Sequence, residues 1–187
     1  MRVIAGALKG RRLAAPRGDA TRPTSDRVRE ALFGILGDLS DVATLDLFAG
    51  SGALGIEALS RGADRALFVE RRRATVGVLR RNVAALGLEE RARIFSGPVA
   101  RAGSVLVEQG PFDLVLADPP YDMVVTDRLS SELRAAVKQG RWWSEGATFV
   151  LEHRSKEGAP SLVEPLGLEL DQTRRYGGTS LSFYRWP

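Results

Sequence analysis

At 187 residues and 44% hydrophobic content, the chain is long enough for one domain with a substantial core, and no apolar run approaches the ~20 residues of a membrane span. With no cysteine and one histidine, His153, disulfides, cysteine-based metal sites and cysteine nucleophiles are excluded, and no Gly-x-Ser-x-Gly turn is present for a serine triad to use. The charge is uneven: residues 1–30 carry eight basic and three acidic groups, a net +5, against −1 for the remainder, which fits either a polyanionic partner or a solvated loop.

The segment Met1–Gly6 has no signal-peptide core, so a cytoplasmic protein is expected. Arg2–Ala5 and Arg11–Ala14 read as short strands of a hairpin around Gly6 and Gly10. Residues 15–24 read as a polar connector. Thr24 or Ser25 is placed to cap a helix whose apolar face is Val28, Ala31, Leu32, Ile35 and Leu36, leaving Arg27, Arg29 and Glu30 elsewhere on its surface. From residue 44 strands and helices alternate. Thr44–Phe48, Ala66–Val69, Ala92–Phe95, Leu114–Ala117 and Thr148–Glu152 read as strands. Ala53–Arg61, Arg73–Leu86, Val99–Gln109 and Thr126–Lys138 read as the helices between them. This pattern predicts an α/β fold with a mostly parallel sheet covered on both faces. Leu168–Arg174 and Leu181–Arg185, joined by Tyr176-Gly177-Gly178-Thr179, read as a closing antiparallel hairpin.

The strand at Thr44–Phe48 runs into Asp46-Leu47-Phe48-Ala49-Gly50-Ser51-Gly52-Ala53-Leu54-Gly55, where Gly50, Gly52 and Gly55 satisfy G-x-G-x-x-G. Missing Cβ atoms let a backbone turn tightly and approach a cofactor, and the helix that follows offers free N–H groups. Glu70, 20 residues after Gly50 at the next strand end, is placed to accept hydrogen bonds from ribose hydroxyls. Nicotinamide, flavin and S-adenosylmethionine all fit this arrangement, as does a ligand-free turn. Asp46 shifts the balance. A carboxylate there repels a pyrophosphate but attracts an ammonium or sulfonium, which favours S-adenosylmethionine.

Asp118-Pro119-Pro120-Tyr121 follows a strand and is expected at the same sheet edge. Two successive prolines fix φ and remove two N–H donors, leaving carbonyls free to face a pocket. An aromatic amine is a poor nucleophile because its lone pair is delocalised. The Asp118 carboxylate and the Pro119 carbonyl, accepting its two N–H bonds, would turn that lone pair out of conjugation, and Tyr121 would stack on the base. A base in a helix cannot enter such a pocket, so it must flip out or lie in a single-stranded loop.

These motifs resemble the class I S-adenosylmethionine-dependent methyltransferases acting on exocyclic amines. The whole chain resembles the RsmD-like family of bacterial enzymes that methylate the N2 amine of a guanine in small-subunit ribosomal RNA. The discriminating stretches are Arg2–Gly6 with Lys9–Leu13, and Arg22-Pro23-Thr24-Ser25-Asp26-Arg27-Val28-Arg29-Glu30-Ala31-Leu32-Phe33. The resemblance implies a Rossmann-like, seven-stranded, mostly parallel sheet with the last strand antiparallel. An N-terminal RNA-contacting hairpin over residues 1–20 would precede a methyltransferase domain over 21–187. It implies S-adenosylmethionine held by Asp46, Phe48, Ala49, Gly50, Ser51, Gly52, Glu70, Arg71 and Gly97. Asp118, Pro119 and Tyr121 would act on the base, and Arg11, Arg12, Arg22, Thr24, Arg27 and Arg29 would meet RNA. The partner would be the ribosomal RNA or the assembled small-subunit particle, with no membrane contact and a monomeric enzyme. One departure is visible: many class I enzymes read the adenine amine with an acid after the third strand, and Phe95-Ser96-Gly97-Pro98-Val99 contains none. An N6-adenine methyltransferase on DNA or RNA shares the Asp118 motif. A non-catalytic ribosome-assembly protein and a nicotinamide oxidoreductase are the readings from other classes.

Overall fold

The computed structural model describes residues 1–16, 26–162 and 166–186. Its helices are α1 (Asp26–Leu36), α2 (Ala53–Ser60), α3 (Arg73–Ala85), α4 (Gly103–Gln109), α5 (Tyr121–Val125) and α6 (Arg128–Val137). Its strands are β1 (Ala43–Leu47), β2 (Arg65–Glu70), β3 (Ala92–Ser96), β4 (Phe112–Ala117), β5 (Trp143–Arg154), β6 (Glu169–Tyr176) and β7 (Thr179–Arg185). The sheet order is β3-β2-β1-β4-β5-β7-β6. The first five strands are mutually parallel, and β7 runs antiparallel to both β5 and β6. This is the predicted seven-stranded sheet. The order reverses between β1 and β4, so the loops after these two strands diverge and leave a crevice at their carboxyl ends.

The two faces follow from the period of two. Leu45, Leu47, Leu67, Val69, Val115 and Leu151 pack with Leu106, Leu133, Trp142 and Trp186 on one side. Ala66, Phe68, Leu114, Leu116 and Val150 pack with Leu32, Ile56, Leu59 and Leu79 on the other. Trp142 is fully buried and meets Trp143 and Trp186 edge-on, while Trp143 stacks on Trp186 at 4.8 Å, so the tryptophan pair is packing rather than a base platform. His153 is buried too. Its Nε2 shares a 2.7 Å hydrogen bond with Ser182 Oγ, and burial holds its pKa below the usual histidine range.

Four local expectations change. The first helix rotates: Val28, Arg29, Leu32 and Phe33 are its buried residues, while Ile35 is 38% exposed. The helix expected at Val99–Gln109 is a short 3-10 turn, Val99–Arg101, followed by α4. The turn after Pro120 forms α5, which the sequence did not announce. The N-terminal hairpin reduces to one antiparallel bridge, Arg2 to Arg12, supported by Val3 N–H to Arg11 O, Gly10 N–H to Val3 O and Leu13 N–H to Met1 O, each at 3.0 Å.

That segment is stitched to the domain by α2. The fully buried Glu57 carboxylate accepts the Ile4 N–H at 2.7 Å, the Ala5 N–H at 3.0 Å and Arg61 Nε at 2.8 Å. Ser60 Oγ donates to Ala5 O and accepts the Leu8 N–H, and Ser60 O accepts the Ala7 N–H. Gly6 is required here: its φ is +79°, and a Cβ would stand 1.8 Å from Ser60 O. Glu57→Ala would strand two N–H groups and a guanidinium. We expect a loss of about 3 kcal/mol and a melting point lower by roughly 6–12 °C, measured by calorimetry. A shift below about 2 °C would mean water replaces the carboxylate.

Candidate active site

The carboxyl ends of β1, β2, β3, β4 and β5 open onto one cleft of about 1240 Å³. Its wall includes Asp46, Phe48, Ala49, Gly50 and Ser51 from β1 and its loop, Glu70 and Arg71 after β2, and Gly97 after β3. Asp118, Pro119 and Tyr121 follow β4. Eleven of the twelve predicted catalytic and cofactor residues therefore line one space. Gly52 is the exception. It is buried with φ +85°, its N–H donates to Ala49 O at 2.7 Å, and a Cβ would lie 2.3 Å from Leu79. Gly52 shapes the turn from behind and does not form its wall.

Each glycine of the loop has its own task. Gly50, at φ +57°, faces open space, where a Cβ would meet only Phe48 O at 3.9 Å. Gly55 lets α2 descend onto the sheet, since a Cβ would lie 2.4 Å from the Phe68 ring and 3.1 Å from Asp46 Oδ2. Phe48 takes φ +59°, a conformation unusual for a bulky side chain, at the point where β1 leaves the sheet.

The carboxylates are held from below. Asp46, only 1% exposed, accepts the Gly55 N–H at 2.9 Å. Burial pushes its pKa from 3.8 up to about 8; the Gly55 bond opposes the rise, and the negative charges of Asp118 and Glu70 add to it. Glu70 accepts the Gly50 N–H through Oε2 at 3.0 Å and the Arg72 N–H through Oε1 at 2.7 Å. A carboxylate has about four lone-pair sites, so Glu70 keeps acceptor capacity for a diol while bracing the glycine loop. The cleft thus offers acids toward a cation, an open glycine cradle and room for a nucleoside with a second base. These features fit S-adenosylmethionine.

Sequence reasoning missed two contributors because both arrive from distant elements. Glu132 of α6 lines the cleft and accepts the Ala100 N–H through Oε2 at 3.1 Å. It brings an acid beside Gly97, Pro98 and Val99, where the chain itself has none. Arg154, at the end of β5, also lines the cleft, with its guanidinium carbon 4.7 Å from the centre of the Tyr121 ring.

The predicted RNA contacts divide. Arg11, Arg12 and Arg27 are exposed, and Arg11 Nη2 donates to Ala85 O at 2.9 Å. Arg22 and Thr24 lie outside the described residues. Arg29 is corrected: it is fully buried, and its Nη2 donates to Arg2 O and to Asp26 Oδ1, each at 2.7 Å. A guanidinium with no exposed surface ties α1 to the N-terminal segment and cannot take a phosphate.

Comparison with known proteins agrees with this arrangement. Ribosomal RNA small subunit methyltransferase D of Escherichia coli is 35% identical over 187 residues, covering 99% of this chain and 89% of that protein. Its namesake from Haemophilus influenzae is 30% identical, covering 99% and 93%. The solved structure of the protein yhhF from Escherichia coli superposes with a TM-score of 0.80 at 32% identity, covering 100% of this chain and 97% of that one. An RNA methyltransferase from Salinibacter ruber, at 19% identity and a TM-score of 0.65, shares the fold. The fold is the Rossmann-like one of class I methyltransferases. A family model described as conserved hypothetical protein 95 matches residues 1–185, and with the glycine loop, Glu70 and Asp118–Tyr121 meeting in one cleft, the chain belongs to that family.

Proposed function

We propose that this protein methylates ribosomal RNA with S-adenosylmethionine, and that the acceptor is the exocyclic N2 amine of a guanine in the small-subunit RNA. The observation that carries the reading is the convergence of Asp118 and Pro119 with Asp46, Gly50 and Glu70 in one cleft. Relatives named as small-subunit ribosomal RNA methyltransferases support the polymer class. The N-terminal stretches that resemble the guanine-N2 enzymes support the base.

Asp46 and the open backbone at Gly50 would hold the methionine end, Glu70 the ribose, and Gly97 with Glu132 the adenine end. Bound S-adenosylmethionine supplies a methyl group made electrophilic by its sulfonium. The chain's own residues supply the geometry. Asp118 and the Pro119 carbonyl accept the two N–H bonds of the amine, so its lone pair leaves the ring plane and points along the transfer direction. Asp118 is also the base within reach of the proton that the amine gives up. Tyr121 stacks on the flipped base and keeps it in register.

The test is a methyl-transfer assay with labelled S-adenosylmethionine on small ribosomal subunits lacking this modification, with their free RNA in parallel. Digestion and mass spectrometry would yield N2-methylguanosine at one site. N6-methyladenosine would keep the mechanism and overturn the base, and absence of label in RNA would overturn the polymer. RNA affinity across salt concentrations and thermal melting separate the two arginines of α1. Arg27→Ala is expected to reduce the slope of log affinity against log salt by about one phosphate contact. Arg29→Ala is expected to lower the melting point instead. An unchanged slope for Arg27→Ala would remove that residue from the RNA interface.

A further inference from the structure

Arg11 and Arg12, two of the RNA contacts read from the sequence, belong to residues 1–16, which pack against α2 and α3 on the β1–β2 half of the sheet. The other half of the cleft has basic groups of its own. Arg154 and Lys156 are both exposed, both line the cleft, and flank Ser155 just after β5. Ser155 is the fastening point of this rim. Its N–H donates to Gly178 O and its Oγ to Gly177 O, each at 3.0 Å, and it accepts from Ser180 Oγ at 2.9 Å. The β6–β7 turn, itself part of the cleft wall, is thereby held against the end of β5. Two cations are presented from a braced backbone.

Arg154 has a second contact. Its guanidinium lies over the Tyr121 ring at 4.7 Å, while its ion pair with Glu157 is long, 3.8 Å from Nη1 to Oε1. A charge-assisted hydrogen bond is about 2.7–2.9 Å, so that pair leaves the guanidinium fork available. A planar guanidinium can stack on an aromatic face and still bind an anion at its edge, which an ammonium cannot reproduce. A base turned out of its helix brings its own phosphates to the cleft mouth.

Resting on the RNA-methyltransferase reading, we propose that Arg154 and Lys156 form a second phosphate-binding rim on the β5 side of the cleft. Within it Arg154 is a positioning residue that clamps the Tyr121 ring, so that seating the RNA backbone also sets the surface on which the base stacks. The first rim recognises RNA at the N-terminal side; this one couples recognition to the reacting base.

The experiment compares R154A, R154K and K156A in steady-state kinetics on the small-subunit substrate, with S-adenosylhomocysteine affinity as the control for folding. R154A is expected to raise KM for RNA about tenfold and to lower kcat about tenfold, in keeping with loss of a phosphate contact and of a ring clamp. K156A is expected to raise KM about threefold and leave kcat alone. R154K should recover KM and not kcat, because it restores charge without the planar stack. Recovery of both by R154K would overturn the clamp, and an unchanged KM in R154A and K156A would overturn the rim. A readout without RNA separates this proposal from the functional reading beneath it. In the free protein the Tyr121 ring resonances should shift in R154A and R154K and stay in place in K156A. Unshifted resonances would overturn the clamp whatever the enzyme's substrate proves to be.

Discussion

Replacing Asp118 by alanine is expected to lower kcat by about a thousandfold or more while S-adenosylmethionine affinity stays within a few-fold, because in the proposed mechanism the lost interaction is made to the acceptor amine and strengthens only as charge develops on nitrogen. Asn at this position keeps one acceptor oxygen and should lose less, on the order of a hundredfold. Single-turnover methyl transfer, with the cofactor affinity measured separately by calorimetry, gives both quantities. Turnover retained within tenfold in Asp118→Ala would take the residue out of the chemistry. The same variant has a second signature. The Asp118 charge contributes to the raised pKa of Asp46, so removing it should move the Asp46 titration downward.

The second large effect belongs to Asp46. Its folded pKa, about 8, lies above the ordinary 3.8, so near neutral pH the folded chain holds a proton that the unfolded chain has released. Raising the pH through this window therefore favours the unfolded state. Stability attributable to Asp46 is full below about pH 4, falls with a slope of up to about 1.4 kcal/mol per pH unit, and levels off above about pH 8. His153 acts in the opposite sense, since its lowered pKa means the folded chain binds fewer protons there. Comparison with Asp46→Asn cancels that contribution. The variant should gain melting temperature relative to the parent as pH rises from 5 to 8.5, while losing affinity for the cationic cofactor. Calorimetry near pH 7 in buffers of different ionisation enthalpy should report about one proton released per cofactor bound by the parent, and none by the variant. A melting difference independent of pH would mean that Asp46 is ionised in the folded protein.

The glycine loop and its acids were legible in the sequence because their constraint is local. Positive φ at Gly50 and Gly52 favours glycine, and the close approaches at Gly52 and Gly55 leave no room for a Cβ, so the composition of the turn reports its shape. Glu70 was legible because β2 must follow α2 at a fixed length. Gly52 shows the limit of that logic, since the pattern marks the turn without saying which side of it faces the ligand. Arg29 failed for a related reason. Periodicity finds a helix but places its buried stripe only from apolar residues, and here a buried arginine, held through Nη2 by Arg2 O and Asp26, occupies it. Glu132 and Arg154 had no signal at all: α6 and β5 reach the cleft through tertiary packing, far along the chain from the motifs they join.

Asn82 of α3 joins two regions that biochemistry would treat as separate. Its Oδ1 accepts the Ala14 N–H at 2.8 Å, and its Nδ2 donates to Ala14 O at 3.0 Å and to Ser51 O at 2.9 Å. The chain leaving the N-terminal segment and the carbonyl behind the glycine loop thus share one side-chain amide, and nearby Ala15 and Pro16 help to wall the cleft. A lesion at this buried position, which does not itself line the cleft, would register in a genetic screen as two phenotypes at once, poor cofactor capture and poor RNA capture. Suppressors of one should repair the other.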